Sequence, residues 1–150
     1  MADPGVNGEV APEDRELRAL LGDAHTIAVV GLSSKPNRPS FGVAEYLQEH
    51  GYRIVPVNPK ETEVLGERAY ATLRDIPADI SVDVVDVFRR AEDTPPIADE
   101  AAKVGARVLW LQSGISNEET AERAKAAELV VVMNKCIGAT HEALKIPPKT

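Results

Sequence analysis

Ser33, Ser34, Lys35, Arg38 and Ser40 follow Gly31 in close order, and hydroxyls, amides and cations grouped this way suit a phosphate. The whole stretch, Thr26 to Gly42, reads TIAVVGLSSKPNRPSFG. It is an apolar run that stops at Gly31, then a polar loop, then a helical pattern from about Ser40. A buried strand that passes through a glycine to a helix start leaves free backbone N–H groups and the positive end of the helix dipole aimed at the loop. Residues of the same character recur downstream in Asn58-Pro59-Lys60, Phe88-Arg89-Arg90, Gln112-Ser113-Gly114 and Asn134-Lys135-Cys136. Of the 17 Lys and Arg residues, Lys35, Arg38, Lys60, Arg89, Arg90 and Lys135 fall in these segments.

No acid–base pair, nucleophile–base arrangement or metal-ligand spacing can be assembled from the same segments. His25 precedes the first apolar run, and His50 ends a helical pattern, where a dipole contact suits it. His141 lies near the C-terminus, where an exposed side chain is expected. Cys136 belongs to the basic segments and is kept among the ligand-contacting candidates, where Lys135 would favour its thiolate; the other reading is the small buried filler that a free cysteine usually is. Trp110 is expected in the core, with Gln112 and Ser113 nearer a ligand.

Composition sets the limits. A chain of 150 residues with 43% hydrophobic and 27% charged residues is suited to one domain. Its net charge of -7 argues against general affinity for nucleic acid or anionic membrane, and a locally basic rim on an acidic protein points instead to a small polyanion. The polar, acidic start MADPGVNGEVAPEDRE lacks the form of a signal peptide, and no apolar run reaches the length of a membrane span. A cytoplasmic protein is the expectation. Small doubly wound domains often self-associate, so a homo-oligomer stays among the expected partners.

The positioning elements alternate. Residues 1–12 read as a loose tail, 13–143 as the folded domain and 144–150 as a C-terminal tail. Leu17, Leu20 and Leu21 mark a first short helix. Strands are expected at Ile27–Val30, Tyr52–Val57, Ile80–Phe88, Ala106–Leu111 and Leu129–Met133. Between them, helices are expected from Phe41 to His50, from Thr94-Pro95-Pro96 to Gly105, and from a Ser116/Glu119 capping box to about Ala127. Lys60 to Asp79 gives only a short helix around Thr72–Ile76. Alternation of this kind predicts an α/β, doubly wound, five-stranded parallel sheet with helices on both faces, in a single domain. Ligands of such sheets sit beyond the strand C-termini, where the basic segments fall.

The ligand class can be narrowed. Gly31 is followed by Leu32, Ser33 and Ser34, so GxGxxG is absent, and so is the Walker pattern. At the end of the second strand, where NAD sites place an acid, stand Asn58, Pro59 and Lys60; Glu61 and Glu63 are expected to point away. A lysine there suits a phosphorylated adenosine ribose, as in coenzyme A or NADP.

The segments VVGLSSKPNRPSFGVAEYL, GYRIVPVNPK, LGERAYATLRDIP, DVVDVFRR, VLWLQSGISNEE and VVVMNKCI together resemble the small stand-alone CoA-binding proteins. These have a Rossmann-like fold similar to the nucleotide-binding domain of the succinyl-CoA synthetase α-subunit. The resemblance spans roughly Thr26 to His141. It implies CoA or an acyl-CoA bound at the strand ends. The adenosine and phosphates would lie against Gly31, Leu32, Ser33 and Ser34, against Arg38, Pro39, Ser40, Phe41 and Gly42, and against Asn58, Pro59 and Lys60. Phe88, Arg89 and Arg90 with Gln112, Ser113 and Gly114 would line the other side. The ligase chemistry is not implied, because it depends on a phosphorylated histidine in a second domain. The reading is a carrier, sensor or regulatory module of acyl-CoA metabolism without evident catalysis. An NADP-dependent reductase, or an interaction module that has lost its ligand, are the alternatives.

Overall fold

A computed structural model describes residues 13–149, so the expected N-terminal tail at 1–12 lies outside the described residues. Five strands form the main sheet: β1 (Thr26–Val30), β2 (Arg53–Val57), β5 (Val84–Val87), β6 (Val108–Leu111) and β7 (Val130–Val132). All are parallel, in the order β2-β1-β5-β6-β7. Apolar, β-branched runs suit strands buried on both faces, and every residue of β1, β5 and β6 is buried.

Alternate strand residues feed two cores. Ile27, Val29, Val84, Val108 and Trp110 face α1 (Asp14–Asp23), α2 (Pro39–Glu49) and α5 (Ile137–Ala143). Ala28, Val30, Val85, Val87 and Leu109 face α3 (Pro95–Lys103) and α4 (Glu118–Ala126). The sheet therefore has helices on both faces, as the alternation predicts. Leu144 and Ile146, in the segment read as a C-terminal tail, are buried in the first of these cores.

Local differences from the sequence reading have physical reasons. The third strand starts at Val84 rather than Ile80, because its neighbour β1 begins only at Thr26 and offers no earlier pairing partner. The cap of α4 is Asn117, whose side-chain oxygen accepts the Thr120 N–H; the Ser116/Glu119 box does not form it. The stretch after Lys60 holds a small antiparallel hairpin, β3 (Glu63–Val64) and β4 (Glu67–Arg68), which the sequence reading missed. A bridge from Tyr70 to Val57 then covers the outer edge of β2. The expected short helix is a 3-10 turn at Leu73–Asp75.

Where the strands begin, the chain closes on itself. Asp83 accepts the N–H groups of His25 and Thr26, and the Tyr52 hydroxyl donates to the Leu21 carbonyl. His141 is buried here, contrary to the exposure expected of it, because α5 lays it against Tyr46, His50 and Tyr52. Its Nδ1 lies 2.8 Å from the Tyr46 hydroxyl. Burial first, then nearby His50 and Lys149, hold the His141 imidazole below its usual range. His50 caps α2 and donates from Nδ1 to the Tyr46 carbonyl at 2.7 Å. Lys149 crosses Gly51 so closely that a Cβ there would lie 2.6 Å from its own Cβ.

Candidate functional site

In the order β2-β1-β5-β6-β7, the chain leaves β1 in one direction and returns on its other side. The crevice of such a sheet opens beyond the C-terminal ends of β1 and β5. Gly31 stands at that point with φ +90, and a Cβ on it would collide with the Phe88 carbonyl oxygen. Glycine is required both by the backbone angle and by this close approach. The turn is pinned by Gly31 N–H to the Val57 carbonyl at 2.7 Å and Phe88 N–H to the Val30 carbonyl at 2.8 Å. Three strand ends are thereby joined around this turn.

Charge gathers around that turn. Arg89 lies over Gly31, its Nε 3.4 Å from the position a Cβ would take. Lys35, Arg38 and Lys60 are exposed on the loops after β1 and β2. Among the described residues, none of these four cations makes an ion pair, whereas Arg90 is engaged by Glu92 at 3.6 Å and Asp93 at 3.2 Å. Below Arg89, a cavity of ≈ 150 Å³ is lined by Val30, Val57, Thr72, Leu73 and Asp93 among others.

The loop after β1 carries its own hydrogen bonds. The Ser33 N–H donates to Ser40 Oγ at 3.0 Å and the Lys35 N–H to Ser33 Oγ at 3.1 Å. Ser40 is buried and Pro39 occupies the first turn of α2, where its missing N–H costs no bond. Phe41 packs partly into the core and Gly42 is exposed. Leu32 is fully buried, and its carbonyl is taken by the neighbouring loop.

Asn58 links the first two loops. Its Nδ2 donates to the Leu32 carbonyl at 3.0 Å, and its Oδ1 accepts the Lys60 N–H at 2.9 Å. Pro59 follows, and Glu61 N–H then returns to the Asn58 carbonyl at 3.2 Å. This turn reverses the chain, so Glu61 does not point away as expected. Its Oε2 accepts both the N–H and the hydroxyl of Ser34, at 2.9 and 3.0 Å.

The far side is quieter. Gln112 Oε1 accepts the Ile137 N–H at 3.0 Å, which commits that side chain to the start of α5. Ser113 is exposed, and the Gly114 N–H donates to Asn134 Oδ1 at 2.6 Å. Cys136 precedes α5 as a half-buried free thiol. Trp110 is core, as expected, with its Nε1 donating to the Lys135 carbonyl at 2.9 Å.

The sequence reading also missed Asp86. It sits one residue before the end of β5, is fully buried, and neither carboxylate oxygen has a hydrogen-bond partner. Burial pushes its carboxyl well above the usual range. The signal was present: an acid inside a run covered on both faces must be buried.

Residues 25–142 match a family described as a CoA binding domain. The chain belongs to the CoA binding domain family. It is 40% identical over 134 residues to the uncharacterized protein YneT of Bacillus subtilis, covering 89% of this chain and 98% of that one. A hypothetical protein from Pyrococcus horikoshii superposes with a TM-score of 0.88 at 38% identity, covering 97% and 99% of the two chains. The alpha subunit of acetate–CoA ligase (ADP-forming) II from Pyrococcus furiosus is 30% identical over 111 residues, 73% of this chain but only 24% of that subunit. Within this CoA binding domain, no described helix is long and apolar enough to cross a membrane.

Proposed function

We propose that this chain binds coenzyme A or an acyl-CoA across the C-terminal strand ends and serves as a carrier, sensor or regulatory module. The observation that carries the reading is a set of cations without an ion pair among the described residues, Lys35, Arg38 and Lys60 on the loops after β1 and β2 and Arg89 over the Gly31 turn, on a protein with net charge -7. Family membership and similarity to a protein named as an acetate–CoA ligase subunit support coenzyme A as the polyanion.

In this reading the diphosphate meets the Gly31 turn and the start of α2, and the ribose phosphate meets the outer part of the loop at Ser34. Lys60, at the end of β2, takes the phosphate on the adenosine ribose, and Arg89 closes the crevice from the other side. The pantetheine arm runs toward Ser113, Gly114 and Cys136. The ligand is carried over from the ligase relative and its reaction is not, since the match covers 24% of that subunit.

Isothermal titration tests this. CoA is expected to bind at least about tenfold more tightly than dephospho-CoA, a difference of about 1.4 kcal/mol, and Lys60→Ala is expected to abolish the preference. Equal affinities in the wild type would remove Lys60 from its role, and absence of CoA binding would sink the module. NADPH serves as the competing ligand in the same titration.

A further inference from the structure

The loop after β1 already holds a carboxylate. Glu61 reaches Ser34 across 27 residues of sequence and takes both of its donors through one oxygen. The turn at Asn58 aims it there, so the contact is built into the path of the chain. Both hydrogen bonds are exposed to solvent, and among the described residues Glu61 has no ion pair with Lys35, Arg38 or Lys60. The carboxylate is held by two exchangeable bonds and nothing stronger.

A phosphate dianion makes the same bonds with more charge and more acceptor atoms. The two anions cannot share the Ser34 donors, because like charges at hydrogen-bonding range repel. Lys60, immediately before Glu61, is the cation to which a ribose phosphate has been assigned above. That phosphate and the Glu61 carboxylate therefore contend for one place.

We infer that Glu61 is a built-in competitor for the anion seat at Ser34, displaced when the ribose phosphate of the ligand arrives. The inference rests on reading the strand ends as a CoA site. Displacing Glu61 lowers affinity for CoA, while a ligand without that phosphate leaves Glu61 seated. The residue thus sets the margin between phosphorylated and unphosphorylated ligands, against Lys60, which widens it.

The test is titration of CoA and dephospho-CoA into the wild type, Glu61→Ala and Glu61→Gln. Glu61→Ala is expected to tighten CoA binding about three- to tenfold, the size of two exposed hydrogen bonds lost by a competitor, and to leave dephospho-CoA within about twofold. Glu61→Gln keeps an acceptor for Ser34 without the charge, and is expected to tighten CoA by a smaller factor in the same direction. Weaker CoA binding in both variants would overturn the inference while leaving the site reading intact, since Glu61 would then be ordering the loop. Selective loss of dephospho-CoA affinity would overturn it too, because Glu61 would then be holding a ribose hydroxyl. If the wild type binds neither ligand, the site reading fails and the inference falls with it. The Ser34 amide resonance gives a second readout: it is expected to be displaced in free Glu61→Ala relative to the free wild type, as CoA displaces it in the wild type.

Discussion

At the ends where the strands begin, polar groups are matched within the chain, His141 Nε2 excepted: Asp83 serves two amides, Tyr52 reaches Leu21, and Tyr46 meets His141 through Nδ1. At the ends where they finish, four cations stand unpaired among the described residues, and a glutamate sits on loop donors that an anion would use. Both ends are made of loops joining the same strands and helices. The difference lies in what completes them, the chain itself at one end and, in the proposed function, an external group at the other. A parallel sheet explains the direction, since helix N-termini and strand C-termini gather at one side.

The largest way to break this comparison is Gly31→Val. A side chain at φ +90, colliding with the Phe88 carbonyl, is expected to cost about 2–5 kcal/mol through strain and overpacking together. Urea denaturation measures the loss, and CoA binding should disappear in whatever fraction stays folded. Unchanged stability would mean that the turn is not the tight joint described.

Asp86 sharpens the comparison, because it lies beneath the open end yet is sealed from it. Its folded pKa is raised, so above about pH 4 the unfolded chain ionises there while the folded chain does not. Stability from this group then falls by about 1.4 kcal/mol per pH unit until its folded pKa is passed. Asp86→Asn is expected to flatten the dependence of the urea midpoint on pH above about pH 4. Parallel curves for wild type and variant would show that Asp86 finds a partner that keeps it ionised.

The pattern of what the sequence made legible follows the same physics. Strand runs such as Ile27–Val30 and the break at Gly31 were readable because burial on both faces and a forced turn leave marks in local composition. The hairpin at Glu63–Arg68 was not, because two-residue strands are too short to show alternation and its turn uses Leu65 at φ 55, where Asn or Gly is the usual signal. His141 was misread because α5 has seven residues, and its burial depends on Tyr46, Tyr52 and His50, which are distant in sequence. Glu61 was misread because the reversal after Pro59 depends on the Asn58 side chain, although an Asx turn is a known habit of that residue. Lys35, Arg38, Lys60 and Arg89 were legible by position after strands, while their lack of ion pairs among the described residues depends on the fold.

The smallest effect tests the closed end. Tyr46→Phe removes the hydroxyl that meets His141 Nδ1, leaving a second ring nitrogen unsatisfied beside Nε2, which already lacks a partner. A loss of about 1–2 kcal/mol is expected in thermal or urea unfolding, with CoA affinity unchanged. A change in affinity without a change in stability would mean that the two ends are not separate in function.

The most direct measurement is the amide spectrum of the isotopically labelled chain during titration with CoA. Shifts are expected at Gly31–Ser34, Asn58–Lys60, Phe88–Arg90 and Ser113–Gly114, with His25, Tyr52 and His141 unmoved. Shifts centred on the His141 end, or none at saturating CoA, would contradict a ligand site at the strand C-termini.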